Sequence, residues 1–157
     1  MSTAWGLTID CACPRELAAF WALALGYVEP PPPEGSASWE AWLVEQGVSA
    51  DEWDDGAYLA DPTGTAPGLS FLRVPEPKTA KNRVHVDLKV SGGRNQPAEL
   101  RRSRIQAVVD RLVAAGGALQ HVDEHNGNGR PRGDDRPRRQ RVLRPLGKLR
   151  YRRATRT

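Results

Sequence analysis

Cysteine, histidine and methionine are scarce in this chain: two, three and one, respectively, in 157 residues. The two cysteines, Cys11 and Cys13, stand two positions apart at the end of a predicted strand. Same-face neighbours cannot reach disulfide geometry without strain, which excludes a disulfide-stapled scaffold. Two thiols without a partner cluster fit a reducing compartment, so the expectation is a cytoplasmic protein. No apolar run approaches the roughly 20 residues that a membrane span needs. The opening "MSTAWGLTID" lacks both a basic leader and a long apolar run, so no signal peptide is expected.

Acid is missing from one end. Residues 130–157 carry 12 Lys/Arg against two Asp, while residues 1–129 carry 11 Lys/Arg against 17 Asp/Glu. The net charge of +4 therefore sums an acidic domain and a strongly basic tail. That asymmetry raises a polyanion-binding reading. Yet the tail holds one aromatic residue, Tyr151, and no base-stacking pattern. Composition alone gives it a weak, salt-sensitive pull on nucleic acid.

The length suits one domain or two small modules sharing a core, and five Trp supply bulk for burial. In "WGLTIDCA", Leu7, Ile9 and Cys11 alternate with Gly6, Thr8 and Asp10, the period of a half-buried strand. A helix is predicted over 14–25. Pro14 suits its first turn, and Glu16 favours the N-terminal dipole. Leu17, Phe20, Trp21, Ala24 and Leu25 form its apolar stripe, and Gly26 stops it. "EPPPPEGSA" is a stiff linker, and Ser38 caps a short helix carrying Trp39 and Trp42. Strands Ala57–Ala60 and Leu69–Val74 flank an Asp-Pro-x-Gly turn.

The second half begins in the same way. "NRVHVDLKV" alternates Val84, Val86, Leu88 and Val90 with Arg83, His85, Asp87 and Lys89, and a strand is predicted. "RRSRIQAVVDRLVAAGG" is an amphipathic helix with Ile105, Val108, Val109, Leu112 and Val113 as its stripe, ended by Gly116 or Gly117. "ALQHV" starts one more strand, and after Asn126 periodicity stops. Compared with the first half, two strands are missing and arginines stand in their place. Such a loss would leave an open sheet edge, weaken the fold, and leave room for a second copy of the chain, a homodimer, to complete the sheet.

The tail itself contains a candidate for the missing strands. One codon choice for "DDRPRRQRVLRP" (134–145), read one base later, spells M-T-D-P-E-G-N-E-F-C-V with Leu next, and Arg132–Gly133 give V-V before it. "VVMTDPEGNEFCVL" has the strand, Asp-Pro-x-Gly turn, strand pattern of "AYLADPTG…LSFL". Residues 127–157 are therefore expected to be a basic, disordered, frameshift-derived tail.

"LTIDCACPRELAAFWALALGY", "LADPTGTAPGLSFLRVPEPKTAKNRVHVDLKV" and "IQAVVDRLVAAGGAL" resemble the vicinal oxygen chelate superfamily, which holds glyoxalase I, bleomycin-resistance proteins and extradiol dioxygenases, and above all its glyoxalase-like domain subgroup. The resemblance implies an α+β fold: two βαβββ modules forming a curved mixed sheet whose concave face binds a small molecule. Here module one would span 4–76 and module two 82–126, incomplete, within a domain of 1–126. Metal-dependent members set one ligand in each of four strands. His85 matches such a position. Its counterpart Thr8 is a poor ligand, and Leu69–Val74 contains no carboxylate. No cofactor is implied, and a tight divalent metal is not expected.

Thr8, Asp10, His85 and Asp87 are the expected substrate-binding residues, with His85 and Asp87 the candidate acid–base pair. Asp10 and Asp87 would form a carboxylate couple. Trp5, Trp21, Trp39, Trp42 and Trp53 offer an aromatic pocket. Within it, Trp21 reads as core, and Trp39 and Trp42 as packing of the proline-rich insertion or a lid. Cys11 reads as a small buried hydrophobe. Two functions follow: a small-molecule site with lyase, isomerase or dioxygenase-type chemistry on a degenerate metal site, or metal-free sequestration of a ligand as in bleomycin resistance.

Overall fold

A computed structural model describes residues 3–80, 82–93 and 95–119, together with the backbone of 144–145. Alternation in the first segment becomes strand β1, Leu7–Cys11, with Leu7, Ile9 and Cys11 half-buried and Thr8 and Asp10 exposed. Helix α1 follows over Pro14–Leu25, with Pro14 and Glu16 in its first turn. Gly26 ends it in the left-handed region (φ 74°), its N–H donating to Ala22 O at 2.8 Å. A side chain there would be strained, so glycine fits this stop.

Beyond α1, Val28 and Ala60 exchange two backbone hydrogen bonds (3.0 and 2.8 Å) as a single antiparallel bridge. Helix α2, Trp39–Glu45, starts where Ser38 Oγ accepts from the Ala41 N–H at 3.1 Å. A 3-10 turn, Ala50–Asp55, leads into strand β2, Gly56–Leu59, and strand β3 covers Leu69–Arg73. The sheet order is β1-β3-β2, with β1 parallel and β2 antiparallel to β3. This is a small, open, mixed three-stranded sheet in an α+β fold.

Register fixes the core. Leu7 and Leu59 lie opposite Leu69, and Ile9 and Ala57 lie opposite Phe71, so one face of all three strands is apolar. Helix α1 covers that face with Ala18, Phe20, Trp21 and Ala24, and Phe71 is fully buried beneath it. Phe20 and Trp21 meet edge to face, centroids 5.7 Å apart.

The turn between β2 and β3 is organised by one carboxylate. Asp61 accepts from the N–H groups of Thr63 (3.0 Å), Thr65 (3.1 Å) and Ala66 (2.9 Å), and from the hydroxyls of Thr63 (2.7 Å) and Thr65 (3.0 Å). Bonds to Thr63, Ala66 and Thr65 hold its carboxyl well below the usual range.

The second half departs from expectation. Residues 84–89 form no strand. Their alternation survives in the side chains: Val86 and Leu88 pack against the core, while His85, Asp87 and Lys89 are exposed. A strand, however, needs a ladder partner, and among the described residues only β3 pairs with β1 and none pairs with this run. Helix α3, Ala98–Ala114, starts three residues before the predicted "RRSRIQ", directly after Pro97, with Glu99 in its first turn and Arg111 in its last. Leu112 enters the core; Val108 packs partly against it, and Val113 is exposed. Strand β4, Gly117–Ala118, pairs antiparallel with β5, Arg144–Pro145. The rest of the strand expected in "ALQHV" beyond Leu119, and the disorder expected of the tail, fall outside the described residues apart from this pair.

Two outcomes follow. Leu112→Ala should cost about 2–5 kcal/mol, while Val113→Ala should cost about 0.5 kcal/mol or less; equal costs in urea unfolding would show that α3 does not dock through Leu112. Asp61→Asn should lower the melting temperature at neutral pH. Because the folded carboxyl titrates below the unfolded one, its contribution is complete above about pH 4 and fades as the pH falls further. The gap between variant and parent should narrow in that range, and a gap independent of pH would contradict the charge-based account.

Candidate functional site

With α1 on one face, strand alternation sends the remaining side chains to the other. Register sets them in two rows across the sheet: Thr8, Ser70 and Tyr58, then Asp10, Leu72 and Gly56. Thr8, Asp10, Tyr58 and Leu72 are exposed, and Ser70 is half-buried. Neighbouring strands lie about 4.8 Å apart, so the hydroxyl carriers Thr8, Ser70 and Tyr58 form a continuous polar line with the Asp10 carboxylate beside it. Cys11 turns inward. Its Sγ donates to Leu72 O at 3.7 Å, and burial pushes its thiol up. A thiol kept protonated is a poor nucleophile, consistent with a packing role.

His85 and Asp87 are exposed on the unladdered run of the second half. His85 lines a hollow of about 350 Å³ with Ala80, Asn82 and Arg83. A larger cleft, about 530 Å³, opens beside β2, where Trp39, Trp42, Trp53 and Tyr58 form aromatic walls. Gly56, Tyr58 and Leu72 reach it from the open sheet face, while Ala57, Leu59, Ala18 and Ala22 reach it from the helix side. It therefore straddles the outer edge of β2. Thr8, Asp10 and Asp87 line neither hollow.

The aromatic walls are fixed. Trp39 stacks on Tyr58, centroids 5.8 Å apart and planes 18° apart, and stands at 88° to Trp42 at 5.7 Å. The indole N–H of Trp39 donates to Pro30 O at 2.8 Å, and that of Trp53 to Val48 O at 3.2 Å. Two ion pairs border the cleft, Arg15 with Asp54 (2.5 Å) and Arg73 with Asp55 (3.0 Å).

The chain matches the glyoxalase-like domain over residues 6–143. It belongs to that family. The family is part of the vicinal oxygen chelate superfamily. No curated protein and no solved structure matches the chain.

Many members of that superfamily hold a divalent metal, and the described residues of this glyoxalase-like domain do not fit one. Among the described residues no three His, Cys, Asp or Glu side chains cluster. Thr8 is a poor donor, and Leu69–Arg73 offers no carboxylate. A first-row metal takes several protein donors, so no step is assigned to one. Nor is any helix of the described residues long and apolar enough to cross a membrane.

Of the five tryptophans, Trp21 is core, Trp5 is 67% exposed, and Trp39, Trp42 and Trp53 line the larger cleft. The insertion packs onto the domain through Trp39. No motif in the sequence of this glyoxalase-like domain marks Tyr58 as a site residue. Its phase, out of step with the inward Ala57 and Leu59, was the available signal.

Proposed function

We propose that this glyoxalase-like domain binds a small molecule on the open face of its sheet. The observation that carries this is the division of the sheet: one face sealed by α1, the other lined by Thr8, Ser70, Tyr58 and Asp10 around an exposed Leu72. Hydroxyls that donate and accept, one carboxylate, and an apolar floor suit a polar organic ligand. His85 and Asp87 supply the second wall in this reading, with His85 as the candidate acid–base group. Binding without a metal, as in ligand sequestration, fits the residue types better than lyase, isomerase or dioxygenase chemistry, since those reactions draw on the donor set that Thr8 and Leu69–Arg73 do not provide. The two free thiols suit the cytoplasm.

Fragment screening by NMR on the whole labelled chain tests this. Hits should move the amides of Thr8, Asp10, Ser70 and Tyr58, and Thr8→Ala with Asp10→Ala should weaken them by roughly tenfold, the loss of one to two hydrogen bonds. Hits that cluster elsewhere, or that ignore both substitutions, would defeat the proposal.

We further infer that the domain is two modules, 4–76 and 82–126, and that 127–157 is read from a shifted frame. The run 84–89 supports this: it has a strand's alternation and no ladder, as expected if its partners are not translated. Arg144–Pro145, which pairs with β4, falls where the alternate frame reads its final strand. The polyanion affinity of the tail is then a consequence of its arginines, and no role is assigned to it. A chain ending in "VVMTDPEGNEFCVL" should melt well above the present one, and residues 84–89 should gain slowly exchanging amides. Equal melting temperatures would refute the missing-strand account.

A further inference from the structure

We propose that the cleft at the outer edge of β2 is a site for a small organic cation, an ammonium group carried on a compact apolar body. This goes beyond the open-face reading. The two regions share only Gly56, Tyr58 and Leu72.

Size comes first. About 530 Å³ falls inside the range of roughly 300–1,000 Å³ typical of small-molecule sites. The walls come next. Trp39 and Trp42 stand at right angles, so a guest in the corner between them meets aromatic surface on two sides, with Trp53 and Tyr58 nearby. Ring faces carry negative potential and attract cations.

Two of the three indole donors in the lining point to the same class. An anion would be greeted by N–H groups, yet those of Trp39 and Trp53 are already given to the carbonyls of Pro30 and Val48. Those bonds also hold the two rings in place before any guest arrives, which reduces the ordering cost of binding.

Charge completes the argument. The ionisable residues of the lining are Arg15, Glu29, Glu52 and Asp55. Arg15 is engaged with Asp54, and Asp55 with Arg73. Among the described residues Glu29 and Glu52 make no ion pair. The cleft thus presents π surface and two uncommitted carboxylates, complementary to a positive guest and hostile to a negative one.

The test uses the full chain and two probes of the same shape, phenyltrimethylammonium and its neutral isostere tert-butylbenzene. Five tryptophans give five indole N–H resonances. The cation should move those of Trp39, Trp42 and Trp53 and leave those of Trp5 and Trp21 in place. The neutral isostere should bind roughly tenfold more weakly, the size expected of a cation–π contact out of bulk water. Glu29→Gln with Glu52→Gln, both surface changes, should leave the melting temperature intact and weaken the cation severalfold without altering the isostere. Equal affinity for the two probes would mark the cleft as a plain apolar hollow and overturn the charge assignment. Unmoved Trp39, Trp42 and Trp53 resonances with both probes would overturn the site itself. Neither result bears on ligands of the open face, which are read at Thr8 and Asp10.

Discussion

The burial of Phe71 under α1 is the contact on which the other features depend. Its ring is wholly enclosed, with Ile9 and Ala57 opposite it on the two flanking strands and Phe20 and Trp21 among the core residues around it. Burying one such side chain contributes about 1.5–3 kcal/mol, a sizeable part of the roughly 5–15 kcal/mol by which a domain holds together. More than stability follows from it. Because side chains alternate along a strand, anchoring Phe71 inward sends Ser70 and Leu72 outward, and register carries the same parity to Thr8, Asp10, Gly56 and Tyr58. The open face is chemically what it is because the other face is committed to the helix.

Local signals in the sequence translated well into local structure. The 3.6-residue stripe from Leu17 to Leu25 with Gly26 behind it gave α1 its bounds, and the hydroxyl of Ser38 marked the start of α2. The Asp-Pro-x-Gly motif produced a turn in which Asp61 does more than expected, gathering five donors around one carboxylate. Thr8 and Asp10 stand outward on β1, as their phase required.

What stayed hidden depends on partners distant along the chain. Alternation over Val84–Val90 reports which side chains are buried, and that much held for Val86 and Leu88. It does not report whether another backbone lies alongside, so the ladder did not follow. The bridge between Val28 and Ala60 joins residues far apart in sequence with no pattern to announce it. The tryptophans suggest an aromatic pocket from sequence, but their spacing does not say which of them meet: Trp39, Trp42 and Trp53, from an insertion, line the larger cleft with Tyr58 from a strand edge, while Trp5 and Trp21 do not.

The insertion carries one more consequence. Ala60 turns both its N–H and its C=O toward Val28, and two residues earlier the Tyr58 backbone faces the same way by the period of the strand, with Ser70 on its inner side and no strand on its outer side among the described residues. A bare border of this kind invites chains to zip together into aggregates. Trp39 lies flat against the Tyr58 ring at that border, tethered through its indole to Pro30. The proline-rich excursion thus sets a tethered indole beside the exposed rim, which an approaching chain would have to displace.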